Sequence, residues 1–235
     1  MMTKSNFVLE LRQVSRQFTQ GGVTVKALRK TDIAISSGEF VAVVGPSGSG
    51  KSTFLTIAGG LQNPSSGKVL IHGQDITNLS AKALSRVRLD EVGFILQASS
   101  LVPFLTVEKQ LELIDRVTKR PSDADAVDAL FKHLGIEKLR HKYPSDLSGG
   151  ERQRAAIAKV LYSNPNLILA DEPTASLDSK KAFEVVELLA RETKERQKAT
   201  VMVTHDERLL KYCDTVYDMS DGILKKRTGH RRGLE

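Results

Sequence analysis

The chain has 235 residues, of which 40% are hydrophobic and 27% charged, and its formal net charge is +7. A chain of this length can bury a substantial core, and it favours one α/β domain over two independent domains. No apolar run approaches the roughly 18 residues that cross a bilayer, and residues 1–11 lack a signal-peptide core, so we expect a cytosolic or peripheral protein. The single cysteine, Cys213, excludes an internal disulfide.

Positive charge is concentrated at the C-terminal end. Residues 225–235 hold five basic residues and one acidic residue, a net charge of +4. A basic tail of this kind is most often a solvated, partly disordered chain end, and it is also typical of segments that contact nucleic acid or an anionic membrane surface. Composition alone leaves these interpretations open.

The N-terminal part of the chain predicts antiparallel β structure. Residues 7–11 and 32–35 are strand candidates, and Ser36-Ser37-Gly38 closes the second with a turn. Further apolar segments predict strands at residues 69–71, 93–96, 167–170, 199–204 and 215–217. Several are continuous apolar runs, which is typical of strands covered on both faces.

Helical patterns lie between these strands. Apolar residues with helical spacing, followed by a glycine C-cap, occur at Val127, Leu130, Phe131, Leu134 and Gly135. Two further helices are predicted over residues 151–162 and 180–196, and residues 98–163 contain no strong strand candidate. We therefore predict a single α/β domain over residues 1–235, with a mostly parallel sheet, an N-terminal antiparallel β subdomain and an inserted helical subdomain at 98–163.

A glycine-rich loop follows the apolar run at residues 40–44. It consists of Gly45, Pro46, Ser47, Gly48, Ser49, Gly50, Lys51, Ser52 and Thr53. The glycines let backbone N–H groups converge on phosphate oxygens, Lys51 can reach the β- and γ-phosphates, and the Ser52 hydroxyl can ligate Mg²⁺. Because a predicted strand precedes the loop and a predicted helix follows it, we predict a P-loop NTPase core that binds a nucleotide.

Two carboxylates follow the predicted strand at residues 167–170. Asp171 and Glu172 should lie at the carboxyl edge of the sheet, where α/β proteins place ligands. Adjacent strand residues point in different directions, so we predict different roles for the two. Asp171 is expected to hold Mg²⁺ through its water shell, and Glu172 to polarise the attacking water.

A second predicted anion site lies at residues 147–153, Leu-Ser-Gly-Gly-Glu-Arg-Gln. A serine and two glycines precede a predicted helix here, and open N–H groups at a helix N-terminus attract phosphate. The P-loop already holds one triphosphate, so the chain would have two phosphate-binding surfaces. Either two chains pair head to tail and each covers the nucleotide of the other, or this is an N-capped helix without a ligand.

Taken together, these motifs resemble the ATP-binding subunits of ABC transporters along nearly the whole chain. The motifs that follow in the family's order are the P-loop, Gln97, residues 147–153, Asp171-Glu172, Ser176-Leu177-Asp178 and His205. The resemblance implies that the chain hydrolyses ATP with Mg²⁺ as cofactor.

The resemblance also implies roles for single residues. Phe18 matches the aromatic residue that stacks on adenine, a position where Tyr is common in the family. Gln97 matches the residue that links Mg²⁺ and the attacking water to the helical subdomain, Asp178 the loop that contacts the second copy, and His205 the switch that contacts the γ-phosphate. The residues that the second copy would contribute to the nucleotide are Ser148, Gly149 and Gly150.

A cycle follows from this resemblance. Two ATP molecules join two copies in a head-to-tail dimer, and hydrolysis separates them. Lys51 neutralises charge on the γ-phosphoryl group, and Glu172 and His205 order the water. Without a predicted membrane span, the chain must deliver its free energy to a separate permease, as a peripheral subunit on the cytoplasmic face of the membrane. The helical subdomain near Gln97 is the expected docking surface.

Three segments are most similar to the MacB/LolD group of this family, namely residues 45–53, 93–97 and 170–178. Within the group, residues 97–105 and 204–210 resemble the haem-efflux ATPases of Gram-positive bacteria. Glu108-Lys109-Gln110 stands where many relatives carry Glu-Asn-Val. The resemblance therefore implies haem efflux through a permease of the MacB/HrtB-like type.

Other functions within the family remain open. Similar ATPases export antimicrobial peptides or release lipoproteins, and an FtsE-like ATPase regulates cell-wall hydrolases. A DNA-repair ATPase is excluded because such proteins insert long coiled coils between the P-loop and the motif that corresponds to residues 147–153. Here Gln97 and Ser148 are only 51 positions apart. No nucleic-acid partner is therefore expected.

Overall fold

The computed structural model describes residues 7–20 and 23–230. Within them the strands are β1 (Phe7–Gln20), β2 (Val23–Ser36), β3 (Phe40–Val44), β4 (Ser66–Ile71), β5 (Gln74–Asp75), β6 (Val92–Ile95), β7 (Leu167–Asp171), β8 (Ala199–Val203), β9 (Thr215–Ser220) and β10 (Ile223–Lys226). The α-helices are α1 (Lys51–Ala58), α2 (Ala81–Glu91), α3 (Val107–Thr118), α4 (Ala124–Leu134), α5 (Gly149–Ser163) and α6 (Ser179–Glu195). None of the helices in the described ranges is long and apolar enough to cross a membrane.

Strands β2, β1, β4 and β5 form an antiparallel sheet in that order. Leu9 and Leu11 are buried in β1 and lie opposite Ile35 and Ile33 of β2. The predicted antiparallel structure at the N-terminus is confirmed. Each of the two strands is longer than its sequence pattern indicated, with 14 residues.

A β-bulge explains why the pattern in β1 stops early. The register shifts between Leu11 and Val14, and Gln13 between them adopts a φ of 51°. The Gln13 backbone N–H donates to Asp32 Oδ1 at 2.8 Å, outside the regular ladder. Because a bulge adds one residue, it breaks the two-residue alternation without ending the strand.

The second sheet has the order β10-β9-β3-β8-β7-β6. Strands β9, β3, β8, β7 and β6 run parallel, and β10 pairs antiparallel at one edge. The prediction of a mostly parallel sheet is confirmed. The predicted strand at residues 69–71 belongs to the antiparallel sheet as part of β4.

Strand β3 lies between two hydrophobic clusters. Phe40 and Ala42 pack into the cluster that contains the buried faces of α3 to α6. Val41 and Val43 pack into the cluster that contains α1 and the antiparallel sheet. All five residues of β3 are buried, because α3 to α6 cover one face of the parallel sheet, and α1 with the antiparallel sheet covers the other.

The region between β6 and β7 is helical. Residues 96–166, all of them described, contain α3, α4 and α5 and no strand. Val127, Phe131 and Leu134 of α4 are buried as expected, and Gly135 caps the helix at a φ of 60°. Helix α5 contacts β6 as well as α3 and α4. It therefore connects the inserted helices to the parallel sheet.

Helix α2 was not predicted from the sequence. None of its residues is fully buried, but Leu84 and Val87 are half-buried and pack against the cluster that contains α1 and the antiparallel sheet. Its N-cap, Ser80, accepts a hydrogen bond from the Ala83 backbone N–H at 3.3 Å. The apolar positions of this helix are few and only half-buried, so the helical pattern that they leave in the sequence is weak.

The described part of the basic tail is folded onto the parallel sheet. Lys225 and Lys226 lie in β10, and the Arg227 guanidinium forms ion pairs with Glu207 and Asp218. Residues 225–227 are therefore ordered, while the side chains of Lys225 and Lys226 are exposed to solvent. The remaining basic residues, Arg231 and Arg232, lie outside the described residues.

One ammonium group is buried beside the parallel sheet. Lys198 is 2% exposed, and its Nζ donates to Asn164 Oδ1 and to Pro165 O, both at 2.7 Å. Burial disfavours the charged form and lowers the pKa of Lys198 from its ordinary value of 10.5 to about 8. The folded chain therefore binds this proton more weakly than the unfolded chain does.

This shift predicts how stability depends on pH. Between about pH 8 and pH 10.5 the unfolded state holds more protons, so the Lys198 contribution to the free energy of unfolding rises with pH. We expect the unmodified chain to gain about 2 kcal/mol between pH 8 and pH 10 relative to Lys198→Met. Urea unfolding of both chains at a series of pH values measures this difference. Parallel pH profiles would contradict the shifted pKa.

Candidate nucleotide-binding site

Most of the predicted site residues line one cleft of about 1150 Å³ at the carboxyl ends of the parallel strands. Those brought together are Gly45, Pro46, Ser47, Gly48, Gly50, Lys51, Ser52, Thr53, Gln97, Asp171, Glu172 and His205. Sequence reasoning missed one wall of the cleft, formed by Thr24, Val25, Lys26, Ala27 and Arg29 of β2 and by Asp221 and Gly222. These residues form no motif, so only the tertiary fold assigns them to the cleft.

The loop between β3 and α1 requires glycine at specific points. Gly50 has a φ of 108°, and a Cβ there would lie 2.3 Å from Ala27 O. A Cβ on Gly45 would lie 2.1 Å from Met219 O. Gly50 is the N-cap of α1 and supplies no side-chain cap, so the first N–H groups of the helix are left for another acceptor. A helix start of this kind attracts phosphate.

The Lys51 ammonium folds back over the loop. Its Nζ donates to Gly45 O at 2.7 Å and to Pro46 O at 2.8 Å. These bonds place a positive charge beside the open N–H groups of α1. The arrangement suits a polyphosphate, because charge-assisted hydrogen bonds to phosphate oxygens are stronger than bonds to neutral carbonyls.

Ser49 is the one residue of the predicted loop that does not line the cleft. It is buried, and its backbone oxygen accepts a hydrogen bond from the Gly222 N–H at 2.9 Å. Its Oγ has no hydrogen-bond partner among the described residues. Ser49 thus attaches the loop to the turn between β9 and β10.

Glu172 follows β7 in a constrained geometry. Its φ is 48°, in the left-handed region, and its N–H donates to Val203 O at 3.0 Å. Its Oε1 lies 2.9 Å from His205 Nδ1, whereas Oε2 is buried with no partner among the described residues. A buried carboxylate oxygen without a donor is costly. The site is therefore suited to a donor that the chain itself lacks, such as a water molecule.

The side chains available for a metal ion are few. Ser52, Gln97 and Asp171 line the same cleft and offer a hydroxyl, an amide and one carboxylate. The described ranges contain no group of three or more His, Cys, Asp or Glu residues that could hold a metal. This donor set fits Mg²⁺, which binds through one or two side chains together with substrate phosphates and water.

The predicted second phosphate surface lies outside this cleft. Ser148 begins α5, where its Oγ accepts from the Glu151 N–H at 3.3 Å and its N–H donates to Glu151 Oε2 at 2.8 Å. Ser148 and Gly149 are exposed. Asp178 likewise caps α6, accepting from the Lys181 N–H at 3.0 Å. Within one chain, neither of these helix starts meets the P-loop.

Phe18, the predicted adenine-stacking residue, lies near the edge of the cleft but does not line it. It is 38% exposed and lies opposite Val25, which does line the cleft. The Arg16 guanidinium carbon lies 4.7 Å from the centroid of the Phe18 ring. The ring is therefore stacked with a cation and still partly open to solvent.

Two contacts around the cleft were missed in the sequence. Gln153 of α5 is 2% exposed, and its Nε2 donates to Leu96 O at 3.3 Å, directly before Gln97. Arg208 binds both carboxylate oxygens of Asp206. Gln153 could have been found as a polar residue on the buried face of a predicted helix.

Comparisons with known proteins agree with this geometry. The ABC transporter family model matches residues 28–175. A Staphylococcus aureus (strain MRSA252) protein, provisionally named hemin import ATP-binding protein HrtA, is 42% identical over 217 residues, which cover 91% of this chain and 97% of that protein.

Solved structures give the same result. A dimeric post-hydrolysis structure of the ATP-binding cassette MJ0796, bound to ADP and Pi, superposes with a TM-score of 0.87 at 34% identity, covering 94% of this chain and 100% of that one. CbiO1 from Clostridium perfringens, described as part of the ABC transporter complex cbiONQ, superposes with a TM-score of 0.79 at 30% identity, covering 94% and 88%. The chain therefore belongs to the ABC transporter family, as an ATP-binding cassette that hydrolyses ATP.

Proposed function

We propose that two copies of this cassette close head to tail around two ATP molecules and drive a separate membrane permease from its cytoplasmic face. The observation that supports the dimer is the position of the N-terminus of α5, at Ser148. Ser148 is exposed and lies outside the cleft of its own chain, so another copy must supply it to a nucleotide. The related cassette MJ0796 is described as dimeric.

In this proposal the chain's own residues bind and orient the reacting groups. The N–H groups of the loop and Lys51 bind the phosphates, and Glu172 Oε2 accepts a hydrogen bond from the attacking water. His205, 2.9 Å from Glu172 Oε1, holds that carboxylate in place. Mg²⁺, held by Ser52, Gln97 and Asp171, would neutralise charge on the phosphates.

Phe18, Gly149, Gly150 and Asp178 complete the proposed site. Phe18 would stack on adenine with the ring face opposite Arg16. Gly149 and Gly150 would extend the Ser148 surface over the γ-phosphate of the partner. Asp178 would lie in the loop that contacts the second copy. Each of these roles comes from the resemblance of the motifs. The exposed N-termini of α5 and α6 also support the roles of Gly149, Gly150 and Asp178.

The proposed docking surface for the permease lies beyond Gln97. Phe104 is 76% exposed at the end of the loop that leads from the cleft to α3, and Leu113 and Val117 of α3 are also exposed. Apolar side chains grouped on one face are typical of a protein interface. A permease bound there would contact the chain segment that begins in the nucleotide cleft.

We further propose that the cargo is haem, moved outward through a MacB/HrtB-like permease. Support comes from the 42% identity to the relative named HrtA and from the segments that resemble haem-efflux ATPases. The name of that relative gives import as the direction, so direction needs its own measurement. Haem would contact the permease, because His205 is committed to Glu172 and Cys213 is buried.

The proposed role of Glu172 requires a carboxylate. In Glu172→Gln the amide cannot serve as a proton acceptor, while the phosphate-binding loop is unchanged. We expect hydrolysis to fall by about 10²- to 10⁴-fold with ATP affinity retained, and the chain to accumulate as an ATP-bound dimer. Steady-state ATPase rates and size-exclusion chromatography with ATP measure the two effects. Glu187→Gln, at an exposed position of α6, is the matched control. Near-normal turnover of Glu172→Gln would exclude this role.

A mixing experiment tests the head-to-tail arrangement. Lys51→Ala weakens phosphate binding, and Ser148→Arg obstructs the surface at the N-terminus of α5. Each variant alone should therefore lose most of its ATPase activity. In a mixed dimer both lesions fall in one site, and the other site is intact. We expect the mixture to recover turnover above either variant alone. The control mixes Lys51→Ala with the Lys51→Ala/Ser148→Arg double variant, which leaves no intact site. Equal rates in both mixtures would refute shared sites.

The cargo is tested by reconstitution with the cognate permease in lipid. We expect haemin to stimulate ATP turnover several-fold, and peptide antibiotics and a lipoprotein to leave it unchanged, with Glu172→Gln as the blank. Haemin accumulation inside inside-out vesicles would give the outward direction. Stimulation by peptide or lipoprotein would move the chain to another branch of the group, and turnover indifferent to all three would favour an FtsE-like regulator.

A further inference from the structure

The loop that displays Phe104 is a closed turn. The Leu105 N–H donates to Val102 O at 3.2 Å, with Pro103 and Phe104 as the two central residues. Proline at the first central position presets the turn geometry. Phe104 therefore stands at the apex of a defined turn, although its ring is 76% exposed.

A single buried side chain holds this turn from below. Gln110, in the first turn of α3, is 1% exposed. Its Oε1 accepts from the Val102 N–H at 3.0 Å, and its Nε2 donates to Val102 O at 2.8 Å and to Leu105 O at 2.9 Å. Both N–H groups of the amide and one lone pair of its oxygen therefore form hydrogen bonds with Val102 and Leu105, the first and last residues of the turn.

An apolar side chain of the same size could not make these bonds. It would leave the half-buried Val102 N–H and Leu105 O without this partner, and Val102 O with the Leu105 N–H alone, which is unfavourable unless the turn opens toward water. An opened turn no longer fixes the position of Phe104. The conformation of an exposed apolar residue thus depends on a buried amide that it does not touch.

The surface beside this turn has a defined shape. A small pocket of about 180 Å³ lies on the outer face of α3, lined by Leu105, Lys109, Glu112, Leu113 and Arg116. Glu112 and Arg116 form an ion pair at 3.7 Å across it. The pocket is large enough for one apolar side chain, with charged groups at its rim.

We propose that Gln110 is the positioning residue of the permease-docking surface, fixing Phe104 and the adjacent pocket so that they receive an apolar side chain from a cytoplasmic segment of the permease. This inference rests on the proposed docking surface. The occupant is the permease because the surface continues from Gln97 in the nucleotide cleft. Neither Gln110 nor Phe104 lines that cleft, so catalysis by the cassette alone does not depend on them.

The test measures binding and catalysis separately. Cassette variants are titrated onto the cognate permease in lipid nanodiscs, and basal ATPase activity and KM for ATP are measured without permease. Gln110→Met keeps the approximate volume and removes the three hydrogen bonds. Phe104→Ser removes the displayed ring. Gln74→Met, at an exposed position of β5, is the matched control.

We expect Gln110→Met and Phe104→Ser each to weaken permease binding about tenfold or more, with basal ATPase activity and KM for ATP within twofold of the unchanged chain. Both substitutions act through one surface, so their effects should not add. The affinity of the double variant for the permease should lie within about twofold of that of the single variant that binds less tightly. Gln110→Asn, which keeps the amide on a shorter side chain, should give a smaller loss and replaces Gln110→Met if that chain fails to fold.

The possible failures are distinguishable. If Phe104→Ser weakens binding but the Gln110 variants do not, the positioning role is wrong and the docking surface stands. If neither matters, the docking surface itself is wrong. Additive losses in the double variant, or a parallel fall in basal ATPase activity, would assign Gln110 to general stability and overturn the inference.

Discussion

The site depends on the parallel register of four neighbouring strands. Because β3, β8, β7 and β6 run in the same direction, their carboxyl ends meet at one edge of the sheet. Gly45, Gln97, Glu172 and His205 follow these four ends and therefore line one cleft, although they are far apart in the chain. Burial of both faces of the sheet fixes this register, since a slip by one residue would exchange the two hydrophobic clusters.

The same cleft is chemically incomplete within one chain. Glu172 Oε2 is buried without a donor among the described residues, and the helix start at Ser148 lies elsewhere on the surface. In the single chain Ser148 and Asp178 serve as the N-caps of α5 and α6. Gln153 of α5 donates a hydrogen bond to Leu96 O, directly before Gln97. In the proposed dimer, this bond would couple α5 to the segment that leads from Gln97 to the turn at Gln110.

Sequence patterning predicted the elements that alternate or repeat and missed those that do not. The apolar strands of the parallel sheet and the buried stripe of α4 were predicted, because both faces or one whole stripe are buried. The continuation of β1 past Gln13 and the helix α2 were missed. A bulge interrupts the two-residue alternation of β1, and α2 packs only two half-buried apolar side chains, Leu84 and Val87, against the core. The segment at residues 69–71 was recognised as a strand, but its place in the antiparallel sheet depends on long-range pairing.

The sequence by itself determined the chemistry. Lys51, Ser52 and Glu172 stand in local motifs whose spacing predicts phosphate binding and the water activation proposed for Glu172, because a loop between a strand and a helix is a local structure. The tertiary structure decided which residues share the cleft, and it brought in the wall of β2 that has no motif. It also separated Ser148 from the P-loop and assigned Gln110 to a turn eight residues earlier in the chain. The shared cleft and the separation of Ser148 from the P-loop depend on packing between distant segments, and the Gln110 contact depends on the path of the intervening loop; residue spacing along the chain encodes neither.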